Sequence, residues 1–464
     1  MISEPGQTTS GSEPTLWALR SECVITPEGA RTAAVLVRGS RIAAVVAPDA
    51  IPAGYRMLDA GRSVVLPGLV DIHVHINEPG RTDWEGFSTA TRAAAAGGIT
   101  TVVDMPLNSS PVTTTIDALQ QKLAAAEGKL WVDCGFYGGV VPGNSRDIEP
   151  LIRHGVLGFK AFLCHSGIDE FPNVTEADLR AVIPTIAAAG LPLLVHAELV
   201  GPVDAGVEER FATNPQSYAA YLATRPPSWE EEAIRMMIRL CREYGCRVHI
   251  VHLAAATALP LIVEARSSKL PLTVETCPHY LCFAAEEIPD GNPRFKCAPP
   301  IREREHSERL WGALRAGLVD TVGSDHSPCP PALKHLANGG LREAWGGIAS
   351  LQPSLSAVWS EMRRRGFTLK HLAERMARRP AALVGLGGRK GAIAPGYDAD
   401  LVLFAPEAQF VVKPEQLYHR HPITPYEGRT LFGRVSQTFL RGRLIYDSGQ
   451  IAEPPTGQPL LVPR

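Results

Sequence analysis

Histidines and carboxylates at the ends of apolar segments are the residues of this chain best suited to metal chemistry. His73 and His75 are two positions apart in LVDIHVHI, and side chains with that spacing lie on one face of a β-strand. His196 ends LPLLVH, His252 ends VHIVH and Asp325 ends TVGSD. Each histidine alone is more often a core residue than a ligand, but imidazole and carboxylate are the usual ligands of zinc and its neighbours. Together they predict a metal centre, provided that the fold brings these segment ends together.

Lys160, in VLGFKAF, lies at the end of another apolar segment. Burying an ammonium is costly, and this amine could not remain protonated while facing two divalent cations. A neutral lysine amine can take up carbon dioxide and become a carbamate, an anion whose two oxygens can bridge two metal ions. From the residue alone, a surface lysine with a buried stem is the alternative interpretation.

The other histidines fit the metal centre less well. His249 lies three residues before His252, which turns it to the opposite face of a strand, so we predict a structural role. His165, His279 and His326 lie beside the motifs and could support the ligands from behind. Polar surroundings predict solvent-facing positions for six more, namely His154, His306, His335, His371, His419 and His421.

Eight short apolar segments between Pro67 and Gly388 must position these residues. They alternate with Ala-, Leu- and Glu-rich helical stretches, and this count predicts a (β/α)8 TIM barrel with its active site at the C-terminal strand ends. A doubly wound sheet fits less well, because no Gly-rich phosphate turn follows the first segment. The predicted strands are 69–76, 99–105, 131–138, 156–162, 191–197, 247–253, 270–276 and 320–326, and the predicted helices are Glu85–Ala96, Asp117–Ala126, Thr175–Ala189, Glu230–Tyr244 and Ala256–Ala265.

The regions flanking this alternation are rich in strands and turns, typical of short antiparallel elements. The simplest architecture has both ends of the chain building one small β-sandwich beside the barrel. We therefore predict the following division of the chain: a disordered polar tail at 1–15, a β-sandwich domain from 16–66 and 389–450, a barrel domain at 67–388 and a C-terminal tail at 451–464.

Composition excludes several classes of function. The 464 residues carry a net charge of −2, with 45% hydrophobic and 20% charged residues, so the basic excess of nucleic-acid-binding proteins is missing. No apolar run approaches the roughly 18 residues of a membrane span. The start of the chain lacks the pattern of a signal peptide, so we expect a cytoplasmic protein. Its nine cysteines are scattered and odd in number, which predicts free thiols and no cysteine ligand.

Eight phrases, spread in order over nearly the whole chain, resemble the cyclic amidohydrolases, which include dihydroorotases, hydantoinases or dihydropyrimidinases, and allantoinases. They are PGLVDIHVHINEPG (67–80), GFKAF (158–162), LLVHAE (193–198), HIVHLA (249–254), ETCPHYL (275–281), CAPPIR (297–302), GSDHSPC (323–329) and GAIAPGYDADLVLF (391–404). The resemblance implies a metal-dependent TIM barrel with a β-sandwich, a carbamylated lysine and two divalent ions, most often zinc. It also favours a homotetramer.

Carried over residue by residue, the resemblance gives the same set as the spacing. His73 and His75 would hold the first ion, and His196 and His252 the second. Lys160, as N6-carboxylysine, would bridge the two ions, and Asp325 would complete the first site. The implied reaction is attack on a cyclic amide by a hydroxide that bridges the metals, with Asp325 as general base and then general acid.

Positions around the substrate distinguish the members of this family. Dihydroorotases grip a substrate carboxylate with three groups, and Asn77, Leu107 and Cys329 stand at those positions here. An acidic substrate is therefore disfavoured, because a buried carboxylate without partners costs several kcal/mol. Hydantoinases carry a tyrosine where this chain has His165.

The allantoinase pattern matches best, through HVHINEPGRTDWEGF (73–87), DMPLNSSP (104–111), KCAPPIR (296–302) and EAWGGIASLQP (343–353). This resemblance implies hydrolysis of allantoin, a small neutral ureide, to allantoate. The candidate substrate contacts are Asn77, Asn108, His165, Ser324, Gly346 and Gly347. The alternatives are a hydantoinase or dihydropyrimidinase acting on a related neutral ring, and a non-catalytic scaffold of the same fold.

Overall fold

The computed structural model describes residues 15–464, so the predicted tail at 1–15 lies outside the described residues except for Thr15. The strands are β1 (Leu16–Ile25), β2 (Ala30–Arg38), β3 (Arg41–Val46), β4 (Arg56–Asp59), β5 (Val64–Pro67), β6 (Leu69–Val74), β7 (Ile99–Asp104), β8 (Asp133–Phe136), β9 (Gly138–Gly139), β10 (Phe159–Phe162), β11 (Pro192–His196), β12 (Arg247–Ile250), β13 (Leu272–Thr276), β14 (Thr321–Val322), β15 (Leu401–Val411), β16 (Thr430–Leu440), β17 (Arg443–Asp447), β18 (Gln450–Ile451) and β19 (Pro459–Leu460).

Helices connect most of the strands in the middle of the chain. They are α1 (Phe87–Ala96), α2 (Ile116–Ala126), α3 (Ser145–Arg153), α4 (Glu176–Ala188), α5 (Val207–Thr213), α6 (Tyr218–Ala223), α7 (Pro227–Tyr244), α8 (Leu259–Ser267), α9 (Pro278–Cys282), α10 (Arg304–Ala316), α11 (Ser354–Arg364), α12 (Leu369–Ala373) and α13 (Arg379–Leu383), with a π-helical turn at Glu374–Arg378. Within residues 15–464, none of them is long and apolar enough to cross a membrane.

A closed parallel barrel lies at the centre of the fold. One sheet pairs β6, β7 and β8, and a second pairs β9 through β14 in order. Tyr137 alone separates β8 from β9, so the two are one interrupted strand. Val74 forms a parallel bridge with His326, just beyond β14, and the His75 N–H donates to the His326 carbonyl at 2.8 Å. These contacts close a ring of eight strands. Seven lie inside predicted segments, and the interrupted strand β8–β9 extends one residue beyond its segment, to Gly139.

The barrel strands are continuous apolar runs because both of their faces are covered. All six residues of β6 and all six of β7 are buried, as expected for parallel strands beneath helices. Helix α4 shows how the outer layer begins. Thr175 accepts a hydrogen bond from the Asp178 N–H while the Asp178 carboxylate accepts one from the Thr175 N–H, which caps the helix. Its buried stripe then recurs at helical spacing, at Leu179, Val182, Ile183 and Ile186.

The two ends of the chain build the β-sandwich together. Nine strands form one sheet in the order β18-β17-β16-β15-β5-β1-β2-β3, with β4 beside β1. Trp17 on β1 and Phe439 on β16 are three strands apart, about 14 Å in a flat sheet, yet their rings are 5.2 Å apart. The sheet therefore curls onto itself. The fold is a TIM barrel plus a β-sandwich, which confirms the predicted class, while the domain boundaries stay a prediction.

The segment predicted as a C-terminal tail packs against the barrel. Pro459 and Leu460 form β19, which pairs in parallel with Cys134 and Gly135 of β8. The Cys134 N–H donates to the Gln458 carbonyl at 3.0 Å. This strand covers the edge of β8, whose backbone groups would otherwise lack partners.

Lys390 joins the barrel to the sandwich through a buried cluster of charges. Its Nζ lies 2.6 Å from Asp133, 2.8 Å from Asp400 and 2.9 Å from Asp398, and its side chain is fully buried. We expect Lys390→Met to lower the free energy of unfolding by about 3–5 kcal/mol, because it leaves buried carboxylates uncompensated. Denaturant unfolding monitored by fluorescence checks this. Arg153→Met, which removes an exposed ion pair, is the control, and an equal loss in both variants would contradict the expectation.

Candidate metal centre

Six buried side chains at the C-terminal ends of the barrel strands meet on the floor of one cavity, namely His73, His75, Lys160, His196, His252 and Asp325. The His73 ring centroid lies 5.6 Å from that of His75 and 5.4 Å from that of His252. The His252 and His196 centroids are 4.5 Å apart. The fold thus brings together every residue that the sequence proposed for the metal centre.

His73, His75 and Asp325 form a compact group able to hold a metal ion, with one ligand atom of each within 4.8 Å of the others. Asp325 Oδ1 lies 3.2 Å from His73 Nε2 and 3.6 Å from His75 Nε2. Burial lowers the pKa of His75 to about 4, so its imidazole is neutral at pH 7 and has a lone pair to offer. Burial alone would raise the pKa of Asp325, but His73 and His75 outweigh it and hold the pKa below the ordinary value.

Glu275 orients His73 from behind. Its Oε1 lies 2.6 Å from His73 Nδ1, which places the ring proton on Nδ1 and leaves Nε2 as the lone-pair nitrogen. Burial would raise the pKa of Glu275, but His73 and His249 lower it to about 2. His249 has the predicted structural role, since its Nδ1 lies 2.8 Å from Thr273 Oγ1. Sequence reasoning assigned no role to Glu275, although a carboxylate ending an apolar strand was a usable signal.

Three buried nitrogen atoms of the six candidate ligands have no hydrogen-bond partner among the described residues: His73 Nε2, Lys160 Nζ and His252 Nδ1. Leaving such groups unpaired costs about 1–3 kcal/mol each. Burial also lowers the pKa of Lys160 to about 8, which makes its neutral amine accessible near neutral pH. Unpaired nitrogen atoms that converge on one floor fit the binding of metal ions.

Two cysteines approach the centre, although the sequence predicted no cysteine ligand. Cys164 groups with His196 and Glu198, and Cys277 with His279 and Asp325, within metal-binding distances. Burial raises the pKa of Cys164 to about 12 and that of Cys277 well above its ordinary value. Both stay protonated thiols, and only the thiolate is a good ligand. All nine cysteines are free, as predicted.

The other histidines divide between support and surface. His326 is buried and its Nε2 lies 3.1 Å from Glu85 Oε2, while His279 is buried beside Asp325. The prediction for His419 was wrong: it is buried, with its ring 4.6 Å from that of His326. Its polar sequence neighbours hid a tertiary contact between the sandwich and the barrel. The remaining five predicted solvent-facing histidines are exposed or half-buried.

Four residues of the site have left-handed backbones, with φ of 67° at Asn77, 69° at Asn108, 40° at His252 and 46° at Asp325. Residues other than glycine rarely adopt this conformation, which costs of order 1–3 kcal/mol. Such strain concentrates at functional sites, where the surrounding structure holds a side chain in a required position. Here it turns two candidate ligands, His252 and Asp325, at the strand ends.

The cavity above the six side chains has a volume of about 450 Å³, which suits a small molecule. Of the candidate substrate contacts, Asn108, His165 and Gly346 line it. The other three do not. Asn77 is fully buried and donates to the Pro328 carbonyl at 3.4 Å. The remaining two, Ser324 and Gly347, are described next.

Ser324 and Gly347 are occupied within the protein framework. The Ser324 hydroxyl donates to the His73 carbonyl and its N–H to Asp71. Gly347 lies so close to Ser327 that a Cβ would sit 2.2 Å from the Ser327 carbonyl oxygen. Both residues therefore shape the floor and wall of the cavity from behind.

Two lysines that sequence reasoning missed, the half-buried Lys296 and the buried Lys334, fix one wall of the cavity. Lys296 donates to the Ala344 carbonyl at 2.6 Å, and Lys334 to the carbonyls of Trp345 at 2.9 Å and Gly347 at 2.5 Å. They hold segment 342–347, which lines the cavity with five of its residues. Only the tertiary fold joins these distant positions, so no local pattern could indicate them.

Comparisons with known proteins agree with this architecture. A model described as the amidohydrolase family matches residues 64–445. An allantoinase of Streptomyces avermitilis is 49% identical, covering 94% of this chain and 96% of its own length, and a probable allantoinase of Oryza sativa subsp. japonica is 45% identical, covering 96% and 90%. The structure of an L-hydantoinase (dihydropyrimidinase) from Arthrobacter aurescens superposes with a TM-score of 0.90 at 32% identity, over 96% of this chain and 99% of that one. The chain belongs to the amidohydrolase family.

Proposed function

We propose that the protein is an allantoinase, which opens the ring of allantoin by hydrolysis to give allantoate. The observation that carries the proposal is the cluster of six metal-type side chains on the floor of a cavity of about 450 Å³. The relatives named allantoinases, matched over almost their whole length, support the choice of substrate. A non-catalytic scaffold is disfavoured, because all six side chains are present and converge.

The cavity wall supports a neutral substrate. Leu107 lines the cavity where dihydroorotases place a carboxylate contact, and it offers no hydrogen bond. Cys329 is buried, and the side chain of Asn77 is turned to the Pro328 carbonyl. A substrate carboxylate would find none of its three expected partners here, whereas the amide groups of a ureide can use Asn108, His165 and backbone groups near Gly346.

We propose that His73, His75 and Asp325 would hold one divalent ion and His196 and His252 the other, and that Lys160, once carbamylated by carbon dioxide, would supply an oxygen to each. Imidazole, carboxylate and carbamate oxygen suit zinc, the ion we propose. Ions of this kind lower the pKa of water towards about 7 and polarise a carbonyl oxygen. Burial lowers the pKa of His75, His196 and His252, which supports the assignment because a metal needs the neutral ring.

Asp325 is the proposed proton carrier. It accepts a proton as water adds to the ring amide carbon, and it donates that proton to the ring nitrogen as the C–N bond breaks. The product keeps the oxygen of water in a new carboxylic acid group, which releases its remaining proton to solvent and becomes a carboxylate, so atoms and charge balance. Burial and the left-handed backbone fix Asp325 on the cavity floor, where one carboxylate can serve both steps.

His165 is the candidate contact best suited to a test, because its side chain is 63% exposed and lines the cavity. We expect His165→Ala to raise KM for allantoin about 3- to 10-fold, as the loss of one hydrogen bond implies, with little change in thermal stability. Steady-state kinetics check this. His154→Ala, a substitution of an exposed histidine outside the cavity lining, should behave as wild type, and an unchanged KM in His165→Ala would remove this residue from the contacts.

A comparison of substrates tests the proposed function. Purified protein is assayed on allantoin, hydantoin, dihydrouracil and dihydroorotate at equal zinc loading, with the ring-opened products identified. We expect the highest kcat/KM on allantoin and the lowest on dihydroorotate. A preference for hydantoin or dihydrouracil would identify the hydantoinase alternative, which the similarity to the Arthrobacter aurescens structure favours.

We also propose a cytoplasmic homotetramer. The resemblance to cyclic amidohydrolases supports the tetramer, and the nine free cysteines fit a reducing compartment such as the cytoplasm. Light scattering of the purified protein tests the first, where a monomeric mass would contradict it, and fractionation of cells that express the chain tests the second.

A further inference from the structure

A buried carboxylate holds His196 from the side away from the other histidines. Glu198 is fully buried, and its Oε2 lies 2.7 Å from His196 Nε2. Arg225 grips the same carboxylate with two bonds, Nε to Oε1 at 3.0 Å and Nη2 to Oε2 at 2.5 Å. A guanidinium is always charged, and its two bonds to one buried carboxylate favour the ionised form of Glu198, which accepts the His196 Nε2 proton.

A second buried ion pair continues from Arg225 to the segment after His252. Arg302 donates to the Arg225 carbonyl at 3.0 Å and to Glu230 Oε1 at 2.7 Å. Glu230 Oε2 then accepts the N–H groups of Ala254 and Ala255, both at 3.0 Å. Ala254 and Ala255 are the second and third residues after His252, whose own backbone is left-handed. One charged network thus ends at His196 and at the segment that follows His252, the two histidines of the proposed second metal site.

Stability alone does not account for this network. Replacing a buried ion pair by apolar residues of similar volume is often neutral or stabilising, because both charges lose their hydration. The two pairs here are Arg225 with Glu198 and Arg302 with Glu230. Three of the four side chains are buried, and only that of Arg225, 21% exposed, lines the cavity. Their common feature is the contact with His196 and with the segment after His252.

Other carboxylates lie behind the first metal group. Glu275 orients His73, and Asp71 accepts the N–H groups of His73 and Ser324. Glu275 Oε1 also accepts the His252 N–H at 3.4 Å, which is its one contact with the second group. Within residues 15–464, neither Glu198 nor Arg225 forms a hydrogen bond or ion pair with Glu275 or Asp71. Disturbing the Glu198 network should therefore affect one metal position and spare the other.

We infer, on the basis of the proposed function, that Glu198 and Arg225 are positioning residues for the second metal ion. By accepting the Nε2 proton, Glu198 fixes the His196 tautomer in which Nδ1 carries the lone pair for the metal. Arg225 holds Glu198 in place, and Arg302 with Glu230 fixes the chain after His252. The ion held by His73, His75 and Asp325 does not depend on this network.

Metal binding by purified full-length variants tests the inference. Glu198→Gln keeps the shape of the side chain but removes its charge. Arg225→Met removes the two hydrogen bonds and the positive charge that hold Glu198, and Arg225→Lys is the conservative variant. The control is Arg266→Met, because Arg266 has a similar exposure, 24%, and pairs with Asp320 before β14, at the other end of the barrel strands. Bound ions per chain are measured by mass spectrometry after dialysis against buffers of graded free zinc.

We expect Glu198→Gln and Arg225→Met to weaken one of the two zinc sites about 10- to 100-fold while the other keeps wild-type affinity. Arg225→Lys should lie between these variants and wild type. At limiting zinc kcat falls with KM little changed, and excess zinc restores it. Arg266→Met should keep both wild-type affinities even where its unfolding temperature falls.

Wild-type affinity at both sites in Glu198→Gln and Arg225→Met would overturn the inference, as would an equal loss at both sites. A wild-type protein that binds two zinc ions but does not turn over allantoin would contradict the proposed function. The selective loss of zinc affinity in the variants could still be measured and would test the inference by itself. A wild type that binds a single ion would contradict both.

Discussion

Lys160→Ala should lower the hydrolysis of allantoin by about four orders of magnitude and reduce bound zinc from two ions per chain. The physical reason is the position of the amine: Lys160 is fully buried, its Nζ lacks a partner among the described residues, and burial lowers its pKa to about 8. A neutral amine of this kind can form a carbamate, and no neighbouring side chain offers the same two oxygens. Kinetics and metal analysis on the same preparation check both effects.

The carbamate itself is tested with the wild-type protein. Metal-free protein is reconstituted with zinc in buffer depleted of carbon dioxide, and in the same buffer with bicarbonate. We expect activity to return fully only with bicarbonate. Full recovery without it, or an active Lys160→Ala variant that keeps two zinc ions, would contradict the bridging role.

Asp325→Asn should lower kcat about 10²- to 10⁴-fold, the usual contribution of general acid–base catalysis. Asparagine keeps the size of the side chain but cannot accept the proton from water and return it to the ring nitrogen. KM should change less than kcat, because the proposed contacts of the ureide lie at Asn108, His165 and the segment near Gly346. Stopped assays at saturating allantoin, with zinc content measured alongside, check the prediction.

Because Asp325 is also a proposed ligand, the zinc content decides how the result is interpreted. A variant that keeps both ions and loses kcat supports the proton-carrier role. A kcat within tenfold of wild type with both ions bound would contradict it. Glu170→Gln, a substitution of an exposed carboxylate that pairs with Arg81 outside the cavity lining, should leave kcat unchanged and serves as the control.

Local patterns predicted the barrel and its metal residues because each signal lies within a few neighbouring positions. The HxH spacing of His73 and His75 follows from the two-residue period of a strand. His196, His252 and Asp325 end apolar runs, and parallel strands of a barrel bring their C-terminal ends to one mouth. Locating the strand ends in the sequence was therefore enough to identify the candidate ligands.

Contacts between distant segments were not predictable in this way. Arg225 reaches Glu198 from the segment before α7, and Lys334 reaches the carbonyl of Gly347 only through the fold. The burial of His419 depends on packing between the barrel and the chain around the sandwich. Asn77 precedes a turn whose direction the sequence does not reveal, so its side chain points away from the cavity that it was expected to line.

Metal-dependent turnover of allantoin tests the central claim most directly. Purified protein is stripped with a chelator, titrated with zinc in the presence of bicarbonate, and assayed for the formation of allantoate at each ratio of zinc to chain. We expect no turnover without metal and full activity as the ratio of zinc to chain reaches two. Turnover by the metal-free protein, or no allantoate from the protein loaded with two zinc ions, would contradict it.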